Sequence, residues 1–309
     1  MDCAGRRPLR NVCESGKAVI TVETKISDII ANPAFGKYGR FLFMPEFVKR
    51  GMWLKDYATQ FPLNNQALYA RDLNRMVELA ERGMLTFHDI YTAEEKRRDP
   101  DKANTALLFF HGKSGAPFAV ANAGGAFYYV GLLQESIPHC LELSRRGYNA
   151  FALYYRVNPG WERAYEDLAR ALVYIFDHAV EFGVSTENYS LWGASAGARM
   201  AASLGSYGTS RYGEREIPKP VTVVMQYTGH TEHTKDDPPT FVAVGDNDWI
   251  ADWRVMKRRV DAIAAEGTAT EFYLYPGVGH GFGIGTGTAA EGWINDAIAF
   301  WERNMKSIY

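Results

Sequence analysis

Residues 189–197 read Tyr189-Ser190-Leu191-Trp192-Gly193-Ala194-Ser195-Ala196-Gly197, and a small-residue helical run, Ala198 to Leu204, follows. The opening four residues form a β-type run. A Gly-x-Ser-x-Gly pentapeptide set between a strand and a helix is the sequence form of a nucleophile elbow, a turn that lifts one hydroxyl off the end of a sheet. The backbone at the serine of such a turn is strained and its surroundings are crowded, which gives Gly193 and Gly197 a steric reason. Ala194 and Ala196 keep the turn slim. The N–H of Ala196, the first of the new helix, has no helical partner and is open to an anion.

Working outward from this turn, strands and helices alternate. Helical patterns cover about Leu133 to Arg146, closed by Gly147, and about Trp161 to Phe182, where Leu168, Leu172, Ile175, Phe176 and Ala179 share one face. Tyr148 to Tyr155 is a strand between them. Downstream, Val221 to Gln226, Thr240 to Gly245 and Glu271 to Tyr275 are short apolar strands. Helices are expected over Asp252 to Glu266, with Asp252 as N-cap, and over Ala290 to Lys306. Repeated βα units predict an α/β fold: a mostly parallel sheet with helices on both faces. Ala106 to His111 and Ala116 to Ala121, separated by Gly112-Lys113-Ser114-Gly115, are expected to form a β-hairpin. Residues 1–104 show no β/α rhythm. They hold an aromatic, loop-rich stretch from Phe35 to Phe61, one helix over about Ala70 to Arg82, and a mixed-charge stretch, Glu94 to Lys102, expected to be a solvated loop. The chain therefore divides into an N-terminal loop and helix extension (1–104), expected to cover the site, and an α/β unit (105–309).

A serine hydroxyl needs a base to take its proton, and the base needs a third group to hold its tautomer. Two loops downstream supply candidates, each just past the end of a strand, where active sites of open α/β sheets lie. Strand Thr240 to Gly245 opens into Asp246-Asn247-Asp248. Strand Glu271 to Tyr275 opens into Pro276-Gly277-Val278-Gly279-His280-Gly281-Phe282. The set Ser195, Asp248 and His280 follows, with Asp246 as the competing acid and as the better turn-capping residue.

From Thr105 to Lys306, about two-thirds of the chain, these motifs resemble the α/β-hydrolase superfamily, in particular its small esterase and lipase branch. There the acid usually follows a strand as Gly-x-x-Asp, matched by Gly245-Asp246-Asn247-Asp248. The base sits in a Gly-His-(Gly/Ala)-Phe loop, matched by Gly279-His280-Gly281-Phe282. The resemblance implies an oxyanion loop after an early strand. The matching segment is Asn122-Ala123-Gly124-Gly125-Ala126-Phe127, with Ala123 in place of the usual His or Pro and Ala126 in place of the last Gly. Amides of Gly124, Gly125 or Ala126, with that of Ala196, would make the hole. His111-Gly112 is a decoy, placed by its context on the expected hairpin.

The expected reaction is hydrolysis of a small-molecule carboxylic ester by way of an acyl-enzyme, with no metal or organic cofactor. Lipases often insert a lid between the strands that match Val221–Gln226 and Thr240–Gly245. Here only the 13 residues 227–239 connect them, so short acyl chains, acetyl esters among them, are expected. Phe127, His230 and His233 are candidate pocket residues. The pair His230 and His233 lacks the further ligands of a metal site, and His88, His139 and His178 have the setting of structural histidines. Two other readings stay open: a serine peptidase on the same fold, whose relatives usually carry a large extra domain, and a binding protein that has lost catalysis, which would usually lose the serine or the histidine as well.

Composition narrows the classes further. A formal net charge of −2 over 309 residues offers nothing to nucleic acid or to an anionic membrane. No apolar run reaches the ~18 residues of a membrane span, and no secretory leader is visible, so a soluble cytoplasmic protein is expected. Cys3, Cys13 and Cys140 make no disulfide framework. The oligomeric state is not legible.

Overall fold

The computed structural model describes residues 19–61 and 66–305. Cys3 and Cys13 lie outside the described residues, and Cys140 is a buried free thiol. Eight strands form one sheet: β1 Leu85–His88, β2 Ala106–Phe110, β3 Pro117–Asn122, β4 Asn149–Tyr154, β5 Ser185–Ala194, β6 Thr222–Gln226, β7 Thr240–Gly245 and β8 Thr270–Tyr275. Their order is β1-β2-β4-β3-β5-β6-β7-β8. The pairs from β4 through to β8 are parallel, while β1 with β2 and β2 with β4 are antiparallel. Every residue of β2, β4, β6 and β7 is buried. That is why these strands are continuous apolar runs with no alternation of polar positions.

The expected hairpin does not form. β2 and β3 run in opposite directions, but β4 lies between them, pairing Phe109 with Phe151 on one side and Val120 with Phe151 on the other. The connection 111–116 instead wraps the start of β4. Asn149 holds it there: its Oδ1 accepts from Gly112 N, and its Nδ2 donates to the carbonyls of Lys113 and Ala116. A Cβ on Gly112 would stand 2.3 Å from the Tyr148 backbone, so only glycine passes. His111 thus lies at the edge of the sheet where β4 begins.

Two more expectations need correcting in the N-terminal region. The sheet starts inside it, with β1, a strand of four residues and too short to show a period. Glu94 to Lys102 is not a loop: Ala93–Arg98 is a helix, started by a capping box in which Thr92 and Glu95 exchange hydrogen bonds. The Phe35–Phe61 stretch packs on the core. Phe35, Phe41 and Phe43 are buried, and Phe41 meets Tyr154 of β4 at 4.4 Å between ring centres. The expected helix is Gln66–Glu81.

The long helix breaks into Glu162–Asp177 and Ala179–Phe182 at His178, whose N and Nδ1 both take the Tyr174 carbonyl. The helix expected from Leu133 opens as a π-turn, Leu132–Ser136, and runs on as Ile137–Arg145. Pro138, with no N–H to return to the carbonyl of Gln134, sits just past this turn. Asp252 caps the helix Trp253–Ala265 as expected.

The chain leaves β3 for β4 on one side and leaves β5 for β6 on the other. Right-handed crossovers in opposite directions put the helices Ile137–Arg145 and Ala196–Tyr207 on opposite faces. A crevice opens where the two connections part, at the ends of β3 and β5. The Gly124 loop and Ser195 leave the sheet there.

Candidate active site

Ser195 sits between β5 and the helix Ala196–Tyr207 with φ +52° and ψ −114°, a conformation that costs roughly 1–3 kcal/mol for a residue with a side chain. Packing holds it. A Cβ on Gly193 would stand 2.2 Å from the Gly197 carbonyl oxygen, and one on Gly197 would stand 2.0 Å from that of Asn122. Both glycines of the pentapeptide are therefore demanded by close approach of backbone.

His280 Nε2 lies 3.0 Å from Ser195 Oγ, and His280 Nδ1 lies 2.8 Å from Asp248 Oδ2. An ionised carboxylate can only accept, so Nδ1 carries the proton and Nε2 is free to accept from the serine. Asp248 is fixed as well: its Oδ1 accepts from Ile250 N at 2.9 Å and Ala251 N at 2.8 Å, and its side chain is fully buried. Asp246 is occupied elsewhere, accepting from Gly277 N at 2.6 Å and so pinning the turn that leads to His280.

Gly124 approaches the elbow so closely that a Cβ there would stand 2.8 Å from the Ser195 Cβ. Its amide, however, donates to the carboxylate of Glu135, which removes Gly124 from the candidate oxyanion donors. Among the described residues the amides of Gly125, Ala126 and Ala196 have no hydrogen-bond partner. Gly125 and Ala126 border, with Ser195 and His280, a cleft of about 450 Å³. The N-terminal region reaches this cleft through Met44, Gln60 and Phe61.

The pocket candidates go elsewhere. Phe127 and His230 line a separate, larger cavity of about 960 Å³, walled by Trp161, Tyr165 and Arg199. His230 is buried, whereas His233 is exposed and does not border either cavity. Burial, aided by the positive charges of Arg259 and Arg199, pushes His230 down to about 3. Among the described residues no three His, Cys, Asp or Glu side chains are grouped to hold a metal.

Sequence reasoning missed Glu135 and Tyr227. Both are buried, they bond to each other, and the Tyr227 ring meets His280 edge-on at 4.8 Å. No motif announces them, because their roles depend on loops remote in the chain.

Comparison with known proteins identifies the fold that carries this site. Residues 111–233 match the BD-FAE family model, a span that contains the Gly124 loop and the elbow but stops before Asp248. No curated protein matches the chain. Among solved structures, an α/β hydrolase from a Medee basin deep-sea metagenome library superposes with a TM-score of 0.61 at 19% identity, covering 71% of this chain and 97% of that one. The chain has the α/β-hydrolase fold. An acetyl ester-xyloside bifunctional hydrolase from Caldicellulosiruptor lactoaceticus shares this fold (TM-score 0.63, 19% identity, 71% of this chain and 96% of that one). So does the propionate-bound esterase Est2 of Thermogutta terrifontis (TM-score 0.62, 17% identity, 74% and 98%). In this chain the Ser195 turn lies at the crevice of that fold's sheet. Among its described residues, no helix is long and apolar enough to cross a membrane.

Proposed function

We propose that this chain is a serine hydrolase of short-chain carboxylic esters, acetyl esters among them. One observation carries the proposal: an unbroken hydrogen-bond chain, Asp248 to His280 to Ser195, ends in a cleft beside amides that have no partner. A serine in an ordinary structural setting has no use for a buried carboxylate acting on it through an imidazole.

In the proposed reaction Ser195 Oγ attacks the ester carbonyl while His280 Nε2 takes its proton. Asp248 stays ionised and stabilises the imidazolium. The carbonyl oxygen, now negative, is received by Ala196 N–H together with Gly125 N–H or Ala126 N–H, whose dipoles are fixed before the charge develops. Return of the proton to the leaving alcohol collapses the intermediate to an acyl-enzyme. His280 then deprotonates water for the second half of the reaction, and the acid is released.

The limited cleft supports short acyl groups. Its walls include Met44 and Phe61 from the N-terminal region, which supports a covering role for residues 1–104, and the connection 227–239 is too short to add a lid. The propionate in the Est2 structure and the acetyl ester activity named for the Caldicellulosiruptor enzyme support the same acyl class.

Hydrolysis of p-nitrophenyl esters from acetate to laurate tests the reading. Activity should peak at acetate or butyrate, and S195A should lose about 10⁴-fold or more in kcat. Folded wild-type protein without esterase activity, or an active S195A, would refute it.

A further inference from the structure

The catalytic machinery proposed above comes from separate loops: 123–131 after β3, the elbow after β5, and 276–283 after β8. A buried side chain ties the first and the last together. Glu135 lies in the π-turn Leu132–Ser136 and is buried. One of its carboxylate oxygens, Oε2, accepts from Gly124 N, and the other, Oε1, accepts from Tyr227 Oη at 2.8 Å. Tyr227 Oη in turn accepts from Gly283 N at 3.2 Å, three residues past His280, while its ring packs edge-on against the His280 imidazole.

The loop beside the serine is held on its other atoms too. Gly131 N donates to the Gly124 carbonyl at 3.0 Å, and Tyr128 N donates to the Gly125 carbonyl at 2.9 Å. A peptide unit is planar and trans, so its C=O and N–H point in opposite directions. Fixing the Gly124 carbonyl on Gly131 turns the Gly125 N–H the other way. Fixing the Gly125 carbonyl on Tyr128 does the same for Ala126 N–H. Glu135 sets the start of this sequence of peptide planes by holding Gly124 N. The adjacent Gln134 extends the brace to the N-terminal region, donating to Tyr57 Oη at 2.9 Å.

From this geometry we infer that Glu135, acting through Gly124 and Tyr227, is a positioning residue that keeps the oxyanion loop and the histidine loop in one fixed relation. The inference rests on the serine-hydrolase reading. It deepens that reading by adding a residue at the inner wall of the cleft that sets the distance between donors and base through the two loops it joins. An unsupported loop would misplace the oxyanion donors, and a displacement near 1 Å can cost about 10²-fold in rate. Both groups facing Glu135 are donors, so a glutamine there presents an N–H to one of them and breaks or reverses that contact.

The test compares wild type, E135Q, Y227F and the double variant by p-nitrophenyl butyrate kinetics, by the rate of Ser195 labelling with a fluorophosphonate, and by Tm. E135Q should lower kcat by roughly 10²-fold with KM little changed, and labelling should slow in parallel. Y227F should show a smaller loss of the same kind. The double variant should be no worse than E135Q alone, because the two residues act through one connection. A folded E135Q with wild-type kcat and labelling rate overturns the inference. So does failure of both single variants to fold, which would make the pair a folding element only. If E135Q alone fails to fold, Y227F decides by the same readouts. A wild type that the fluorophosphonate does not label refutes the serine-nucleophile reading, and this inference with it. A labelled wild type beside an equally labelled E135Q refutes this inference alone.

Discussion

Asp248 Oδ2 and His280 Nδ1 stand 2.8 Å apart, with the carboxylate wholly withdrawn from solvent. Two residues earlier, Asp246 bonds to a backbone amide and does not reach the ring. This division of labour predicts unequal variants. D248N should leave the fold intact and lower kcat by about 10⁴-fold, because the asparagine can hold the imidazole in the wrong tautomer. D246N should keep turnover near wild type and cost less than about 1 kcal/mol of stability, because its amide oxygen can still accept from Gly277 N without the charge. Steady-state kinetics on p-nitrophenyl acetate, with urea melts of both variants, separates the two acids. Equal kinetic losses would put the assignment of Asp248 in error.

Phe61 and Met44 wall the cleft beside Ser195, although they lie far from it in the chain. Shortening the wall should lengthen the acyl chain that fits. F61A is expected to move the optimum of the ester series toward longer chains, with the acetate rate falling as the shorter group loses contact. A chain-length profile identical to that of wild type would mean that Phe61 borders the cleft without limiting it.

His139 and His230 are both buried, at 2% and 3% exposure. Burial pushes His139 down to about 4, and burial with nearby arginines pushes His230 down to about 3. An unfolded histidine titrates near 6.5. Above that pH both states are neutral at these positions and stability does not depend on them. Below it the unfolded chain binds protons that the folded chain refuses, so stability falls by ~1.4 kcal/mol per pH unit for each histidine. His88 and His111, also held down by burial, act in the same direction. The urea midpoint should therefore drop between pH 6.5 and 5, before most carboxylates titrate. A flat midpoint across that window would show that these histidines accept protons in the fold.

Much of the site was legible in the chain because its chemistry is local. Gly193 is required by a contact with Gly197 inside the same turn, Asp248 and His280 each follow a strand whose apolar run marks its end, and Asp252 caps the next helix from two residues away. The capping box at Thr92 and Glu95 was equally local, and its signal was present in the sequence. The placement of β3 relative to β2 was not legible, since six residues joining two apolar strands suit a hairpin as well as they suit a loop around β4. Asn149, 36 residues beyond Lys113, decides between them.

The sequence by itself determined the alternation of strands and helices from β4 onward, the strained serine turn and the candidate serine, carboxylate and histidine, because backbone sterics and hydrophobic period act between neighbours in the chain. Only the tertiary structure decided which amides are free to meet an oxyanion. Gly124 loses its N–H to Glu135, a carboxylate 11 residues away, and Tyr227, 92 residues from Glu135, completes the connection to the histidine loop. A hydrogen bond between buried groups depends on where the packed core brings them, and no local pattern of residues encodes that meeting.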